Sequence, residues 1–180
     1  IFTELVENQT RYAEKHKKVA ISFAHRRNLP LASHDDTTRD DVVEAVDKGI
    51  TISEFPTTIE AAHEGKEKGM MTIMGAPNAI RGISHSGNVS ASLLAKENLL
   101  DGLSSDYVPN SLLHSAFHLS ETLEVPLNKT LAMVSANIAD MVGLSDRGEL
   151  ASGKLADMLQ VKIIEGIPVI RRVWKKGRQV

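Results

Sequence analysis

Short apolar runs alternate with longer stretches of helical periodicity through the first part of the chain. The apolar runs cover residues 31–33, 50–53, 70–74 and 100–104, and the helical stretches cover residues 2–28, 38–48, 58–68 and 88–99. Gly49 and Gly69 stand directly after two of these stretches, where glycine commonly ends a helix. Strands that alternate with helices predict an α/β fold with a parallel sheet.

Each apolar run leads to a polar side chain that is able to take part in chemistry. These side chains are His34, Glu54, Asn78 and Asp106, spaced by 20, 24 and 28 positions. That spacing is typical of βα units, whose right-handed crossovers bring the carboxyl ends of the strands to one side of the sheet. Because ligands of α/β barrels and open parallel sheets bind at that side, the pattern predicts an enzyme.

The pattern changes after Asp106. Two helical stretches, 111–123 and 127–142, precede short β-like runs at 158–164 and 167–174 that are separated by glycines. We expect a small antiparallel subdomain here, with a barrel-like domain over 1–145 and the small subdomain over 146–180. The sequence shows no internal repeat beyond the βα rhythm, and residues 75–87 have the composition of a long loop.

Helical spacing also predicts which side chains of the first two helices are buried. The expected buried positions are Tyr12, Val19 and Phe23 in the first helix and Val42, Val43 and Val46 in the second.

Composition narrows the classes of function. The chain has 180 residues, of which 42% are hydrophobic and 24% charged, and its net charge is −2. These values are ordinary for a globular protein and indicate no general attraction to nucleic acid or to anionic membranes. There is no cysteine, so any metal site must use His, Asp, Glu or Lys. No apolar run approaches the ~20 residues of a membrane span, and we expect a cytoplasmic protein.

His34 is the first candidate metal ligand. Asp35 and Asp36 follow it, and a carboxylate often orients a metal-bound imidazole. The alternatives are a packed histidine and aspartates that cap the next helix. Glu54 is a further candidate, as a metal ligand, a substrate contact or a carboxylate paired with a neighbour, and the sequence does not separate these roles.

Asp106 is the candidate catalytic residue. It lies in the motif Ser104-Ser-Asp-Tyr107 at the end of a predicted strand. A carboxylate in that position can bind a divalent cation and take a proton from an attacking water. The alternative is an ordinary aspartate in a turn before Pro109.

The segment 75–88 is the candidate anion site, because a glycine-rich loop leads there into a predicted helix. Backbone N–H groups at a helix N-terminus bind anions, and an arginine adds a bidentate grip. The alternative is a flexible surface loop. The candidate substrate- and phosphate-binding residues are Asn78, Arg81, Ser84, His85, Ser86 and Asn88.

Several motifs together resemble the amidohydrolase superfamily and, within it, the PhnM family of phosphonate metabolism. The motifs are Leu31-Ala-Ser-His-Asp-Asp-Thr37, Glu54-Phe-Pro-Thr-Thr58, Met74-Gly-Ala-Pro-Asn78, Arg81-Gly82, Ser84-His-Ser-Gly-Asn88 and Leu103-Ser-Ser-Asp-Tyr107. The tail from Gly148 to Asp157, followed by Val173-Trp-Lys-Lys-Gly177, resembles the segment through which amidohydrolases re-enter their small β-subdomain.

The resemblance implies the C-terminal half of a (β/α)8 TIM-type barrel with a small β-subdomain at its C-terminus. It implies that His34 and Asp106 bind a divalent metal such as Zn or Mn, and that Asp106 also accepts a proton. The paired His-x-His or His-x-Asp motif after the first barrel strand, and the acidic or lysine bridge of the middle strand, have no counterpart in the sequence. We therefore expect a partial barrel that is inactive alone, or that pairs with another copy or with the missing half.

The implied activity is hydrolysis of ribose 1-methylphosphonate 5-triphosphate to the 5-phosphate with release of diphosphate. The expected partner is a small phosphorylated sugar rather than nucleic acid or a membrane, and a homo-oligomer is left open. One alternative is cyclic amide hydrolysis or deacetylation within the same superfamily, and another is a non-enzymatic α/β binding domain. Because Ile1 and a polar helical segment open the chain, we also expect it to begin within a larger protein; a trimmed terminus is the alternative.

Overall fold

Four parallel strands form the main sheet. The computed structural model describes residues 2–82 and 87–180, with side chains except at 2–5 and 7–10. The strands lie side by side in chain order and are β1 (Ala32–His34), β2 (Ile52–Glu54), β3 (Met71–Gly75) and β4 (Gly102–Ser104). The predicted parallel α/β sheet is therefore confirmed.

Helices connect these strands and continue after them. Within the described ranges they are α1 (Phe2–Arg26), α2 (Arg39–Asp47), α3 (Ile59–Glu67), α4 (Ala76–Arg81), α5 (Ala91–Lys96), α6 (Ser111–Thr122), α7 (Leu127–Ala132) and α8 (Ala136–Met141). None of the helices described is both long enough and apolar enough to cross a membrane.

Threonine caps set the start of α2 and of α3. The Thr38 hydroxyl accepts from Asp41 N at 3.2 Å, and the Asp41 carboxylate accepts in return from Thr38 N at 2.8 Å. This backbone hydrogen bond, with a second one from Thr37, holds the pKa of Asp41 below its usual value. The Thr58 hydroxyl accepts from Ala61 N at 3.1 Å. Both helices thus begin a few residues after their strands.

The predicted loop after β3 contains the short helix α4. Pro77 lies in its first turn, where the fixed φ of proline suits a helix, although in sequence the same residue is a loop signal. The next helix begins at Ala91 rather than at Asn88, because Ser90 is its N-cap and accepts from Leu93 N at 3.1 Å. The predicted boundaries of both segments were therefore wrong.

The stretch 127–142 is two helices, α7 and α8, where one was predicted. Ser135 leaves the helical range between them, with φ −145° and ψ −89°. Next to this break the Met133 carbonyl faces the sheet and accepts from Leu103 N at 2.9 Å. A bond to the outer side of β4 thus accompanies the interruption.

Asp101 directly precedes β4 and links the amino end of that strand to three neighbouring elements. Its carboxylate accepts from Thr72 N at 2.9 Å and from Lys66 Nζ at 2.8 Å, and its carbonyl oxygen accepts from Asn137 Nδ2 at 2.7 Å. One residue therefore joins α3, β3 and α8 at the amino end of the sheet.

The larger of the two buried clusters lies between the sheet and helices α3 to α6. Its members include Met74 on β3, Leu94 on α5, Leu103 on β4 and Leu119 on α6, with alanines between them. Small alanines let the helices approach the strands closely, which is how close packing is reached with few large side chains.

Two expectations about burial were wrong. Tyr12, Val19 and Phe23 are exposed by 42%, 60% and 45%, because no other described element covers that face of α1. Val42 is fully buried as predicted, but Val43 is 37% exposed, since consecutive helical residues do not share a face.

Helix α1 is tied to α2 by charge. Glu44 accepts from Lys48 on its own helix and from Lys17 on α1, the latter at 2.9 Å. The hydrogen bond from Lys48 has the larger effect and that from Lys17 the next, and together they lower the pKa of the Glu44 carboxyl to about 2. Because the group is exposed, solvent screens this link, and it contributes little to stability.

Strand β1 is the open edge of the sheet. Leu31 and Asp35 bond to β2, so the alternate residues Ala32 and His34 direct their backbone N–H and C=O groups away from it. A cavity of about 610 Å³ lies between this strand, α1 and α2. The predicted partial barrel would have such an unpaired edge.

The C-terminal residues form a second, antiparallel sheet, as predicted. Its strands are β5 (Met158–Ile164), β6 (Ile167–Lys175) and β7 (Arg178–Gln179), with β6 in the middle. Glu165 and Gly166 both have positive φ in the tight turn between β5 and β6, which matches a two-residue hairpin loop. The boundary predicted at 145/146 stays a prediction.

Asp36 joins β1 to β2. Its carboxylate is buried and accepts from the hydroxyls of Ser33 and Ser53, the latter at 3.0 Å. Its carbonyl oxygen accepts from Thr57 N at 2.9 Å. A buried carboxylate is costly unless it is hydrogen-bonded, so these contacts hold the two strand-end loops against each other.

We expect Asp36→Ala to lower the free energy of unfolding by about 2–3 kcal/mol, because the buried Ser53 hydroxyl and the half-buried Ser33 hydroxyl lose a charged acceptor. Urea denaturation of the chain measures this difference.

Asp47→Ala is the matched control, since Asp47 is exposed at the end of α2. Its effect should stay within about 0.5 kcal/mol. Equal losses in the two variants would contradict the structural role of Asp36.

Candidate active site

The residues that follow three of the strands have a left-handed backbone. Asp35, Phe55 and Asp106 have φ of 62°, 56° and 49°. Such values are uncommon for residues other than glycine, and they concentrate where the surrounding structure fixes a functional geometry. They turn the chain sharply at the carboxyl edge of β1, β2 and β4.

The first two strand ends share a local repeat that the sequence analysis missed. Ser33-His-Asp-Asp-Thr-Thr38 and Ser53-Glu-Phe-Pro-Thr-Thr58 occupy equivalent positions, 20 residues apart. The Thr57 hydroxyl donates to the Thr37 hydroxyl at 2.8 Å, and the Thr58 hydroxyl donates to the Thr37 carbonyl oxygen at 2.7 Å. The recurring Ser and Thr-Thr positions were the signal that could have revealed it.

His34 stands at the end of β1 with its side chain 57% exposed. Its Nδ1 lies 3.0 Å from Asp35 Oδ2, so the neighbouring carboxylate orients the ring as expected for an imidazole ligand. The Phe55 ring packs edge-on against it, with centroids 5.2 Å apart. Glu54 pairs with His34 in the register of β1 and β2 and is half-buried.

Asp106 reaches over the end of β3. Its Oδ2 would lie only 3.3 Å from a Cβ atom at Gly75, and Phe55 Cε1 would lie 3.8 Å from the same point. The missing side chain of Gly75 therefore makes room for the Asp106 carboxylate beside the Phe55 ring.

Arg81 joins the same group through Tyr107. Its Nη1 donates to the Tyr107 hydroxyl at 2.8 Å, and its Cζ lies 5.9 Å from the centre of the tyrosine ring. Tyr107 directly follows Asp106. His34 thus packs against Phe55, Phe55 and Asp106 both lie near the Cβ position of Gly75, and Arg81 bonds to the residue that follows Asp106.

The other predicted anion-site residues have different positions. The Asn78 side chain accepts from Ala91 N at 2.8 Å, so it is engaged at the start of α5. Asn88 is exposed, and its neighbour Val89 donates from its backbone to Thr57 O at 2.9 Å. Ser84, His85 and Ser86 lie outside the described residues.

The described side chains do not by themselves form a metal centre. Among the side chains that the structure describes, no three of His, Asp or Glu come close enough together to hold an ion. His34 and Asp106 are donors of suitable chemistry at one edge, and a catalytic zinc site commonly needs three protein ligands. The geometry therefore fits such a centre only in part.

Gly75→Ala tests the approach of Asp106. We expect the added methyl group to push the Asp106 carboxylate away by a few tenths of an ångström. The φ of Gly75, −68°, suits alanine, so the substitution adds no backbone strain and its effect is steric. Backbone amide shifts in NMR spectra should change at Asp106 and Tyr107 and little elsewhere.

Gly65→Ala is the control, because a Cβ there would make an ordinary contact of 3.8 Å with Met70. Unchanged amide shifts at Asp106 in Gly75→Ala would contradict the proposed packing.

A curated protein is similar to nearly the whole chain, although no family model matches it. The chain is 41% identical over 172 residues to alpha-D-ribose 1-methylphosphonate 5-triphosphate diphosphatase of Escherichia coli strain K12. The alignment takes in 94% of this chain and 46% of that protein. The chain thus spans about half the length of this relative.

Solved structures share the fold at low sequence identity. An amidohydrolase from Thermotoga maritima MSB8 matches 84% of this chain and 43% of its own, with a TM-score of 0.65 and 22% identity. Enamidase, a member of the amidohydrolase superfamily, gives 89% and 49% coverage, a TM-score of 0.66 and 15% identity. Ochratoxinase of A. niger gives 90% and 44% coverage, a TM-score of 0.64 and 20% identity.

The strand-end motifs quoted from the sequence thus lie within a long alignment to one diphosphatase, on a fold shared with amidohydrolases. The chain is thus similar to one ribose 1-methylphosphonate 5-triphosphate diphosphatase over about half of that protein's length, and it shares the fold of solved amidohydrolases.

Proposed function

We propose that the chain is part of a metal-dependent hydrolase that converts ribose 1-methylphosphonate 5-triphosphate to the 5-phosphate and diphosphate. The observation that carries this proposal is the 41% identity over 172 residues to a protein with that name. The placement of His34, Asp106 and Arg81 after strands of one parallel sheet supports it, since these are groups suited to a cation and to a polyanion.

His34 and Asp106 are the proposed metal ligands within this chain. Because the described residues supply too few ligands alone, the remaining ones would come from the rest of a complete active site. A divalent ion such as Zn or Mn, once bound, polarises phosphoryl oxygens and lowers the pKa of water.

The proposed reaction is hydrolysis between the α and β phosphates. Water attacks phosphorus, the P–O bond to the leaving diphosphate breaks, and the proton of the water passes to the Asp106 carboxylate. Asp106 is exposed and stands over the end of β3, so substrate can reach it. Arg81 contributes positive charge for the oxygens of the polyphosphate.

Asp106→Asn should abolish diphosphate release, because an amide cannot take up the proton. We expect at least a ~100-fold loss of rate, the usual range for a general base. The assay follows release of diphosphate from the ribose triphosphate in the presence of Mn²⁺ or Zn²⁺, with the chain complemented by the part of the E. coli relative that it does not match.

Asp140→Asn is the control, since Asp140 is an exposed carboxylate on α8. Its rate should equal that of the unmodified chain. If the complemented chain instead hydrolysed a cyclic amide or an acetylated sugar, and added phosphate did not inhibit that reaction, another activity of the superfamily would be favoured.

We propose in addition that the parallel sheet is half of a (β/α)8 barrel. The chain covers between 43% and 49% of the three solved structures described above, and β1 presents an unpaired edge beside a cavity. In a complete barrel, further strands would pair with β1. The last of them would pair with β4 to close the barrel, and Leu103 N would then donate to that strand instead of to the Met133 carbonyl oxygen. In the isolated chain, a second copy can pair with β1.

Ala32→Pro should suppress self-association of the isolated chain. The Ala32 N–H points away from β2, so proline there spares the sheet but prevents a further strand from pairing. Sedimentation equilibrium should show a concentration-dependent dimer for the unmodified chain and a monomer for the variant.

Ala32→Ser keeps the N–H and should dimerise like the unmodified chain. A monomer at every concentration before substitution would contradict pairing through β1.

The remaining expectations stay predictions. They are the phosphorylated sugar as partner, the absence of nucleic-acid and membrane partners, and the cytoplasmic location.

A further inference from the structure

The hydrogen bond between Arg81 and Tyr107 joins two loops that follow different strands. Arg81 is the last residue of α4, which follows β3, and Tyr107 lies in the turn after β4. The donor and acceptor are 2.8 Å apart, and the residues are 26 positions apart in sequence. Both side chains are exposed, so burial does not force them together.

The turn that carries Tyr107 also carries Asp106. Val108 N donates to Ser105 O at 3.0 Å and closes a four-residue turn with these two residues at its centre. The positive φ of Asp106 sets the direction of both side chains. Asp106 extends over Gly75, while Tyr107 extends to Arg81.

The Tyr107 hydroxyl takes one N–H of the arginine. A guanidinium has five N–H donors in a fixed fork, and a bidentate grip on a phosphate uses two of them. The bond to Tyr107 therefore restricts the orientation of the fork.

A cation at this place would offset an electrostatic problem of the proposed site. A polyphosphate that approaches the Asp106 carboxylate meets a like charge, which disfavours binding. A guanidinium bonded to the side chain of the next residue in the chain adds a positive charge to this part of the carboxyl edge.

We propose that Tyr107 is a positioning residue, whose hydroxyl holds the Arg81 guanidinium in the orientation that grips the substrate polyphosphate. This inference rests on the proposed function, since it requires that Arg81 binds phosphate oxygens. Tyr107 acts through Arg81 and not by a contact of its own with the anion.

Binding of inorganic diphosphate to the full chain tests the inference. We expect Arg81→Ala to weaken binding strongly and Tyr107→Phe, which keeps the ring, to weaken it about fivefold, the equivalent of one hydrogen bond of about 1 kcal/mol. In the double variant the tyrosine substitution should add nothing further, because its effect passes through the arginine. Isothermal titration calorimetry measures all four dissociation constants.

Tyr12→Phe is the matched control, because Tyr12 is the only other tyrosine and lies exposed on α1. It should bind like the unmodified chain. The midpoint of thermal unfolding should be the same for both tyrosine variants, which separates an effect on binding from an effect on folding.

The outcomes separate this inference from the function on which it rests. If Arg81→Ala weakens binding and Tyr107→Phe does not, the positioning role is overturned and the anion site stands. A fivefold loss that persists in the Arg81→Ala background would mean that Tyr107 contacts the anion itself, which also overturns the inference. If Arg81→Ala has no effect, or the unmodified chain does not bind diphosphate, both the anion site and the inference fail.

Discussion

A buried carboxylate between two very short strands holds the candidate site in place. β1 and β2 have three residues each, so their ladder supplies few backbone hydrogen bonds. Asp36 adds bonds to both strands through Ser33 and Ser53 and to the following loop through Thr57. His34 ends β1 and Phe55 directly follows β2, so this connection helps to fix the backbone from which both side chains project.

The candidate site lies on the parallel sheet, at turns whose backbone geometry is unfavourable. Asp35, Phe55 and Asp106 adopt left-handed φ, which costs energy in residues with a side chain. These residues turn the chain sharply after the strands, so that the neighbouring side chains lie along the carboxyl edge of the sheet. Gly75 serves the same edge in a different way, since its lack of a Cβ admits the Asp106 carboxylate.

Local signals made most of the sheet predictable, and long-range contacts account for what was missed. The strand ends and the helices α2 and α3 follow from apolar runs, threonine caps and terminal glycines, all of which act within a few residues. The division of 127–142 coincides instead with the long-range bond between Met133 and Leu103. The spacing of the strand ends was likewise enough to predict that His34 and Asp106 lie at one edge of the sheet. The hydrogen bond between Arg81 and Tyr107 joins residues that are far apart in sequence, so it is seen only in the structure.

The bond from Leu103 to Met133 makes the two sides of the main sheet unequal. An acceptor from the same chain already occupies the outer N–H of Leu103 on β4, while no described residue bonds to the outward backbone groups of β1. Fibrillar growth needs a template on both flanks of a sheet, so that each added molecule offers a new one. With one flank occupied, any pairing through β1 would stop at two molecules and would not extend into an open-ended aggregate.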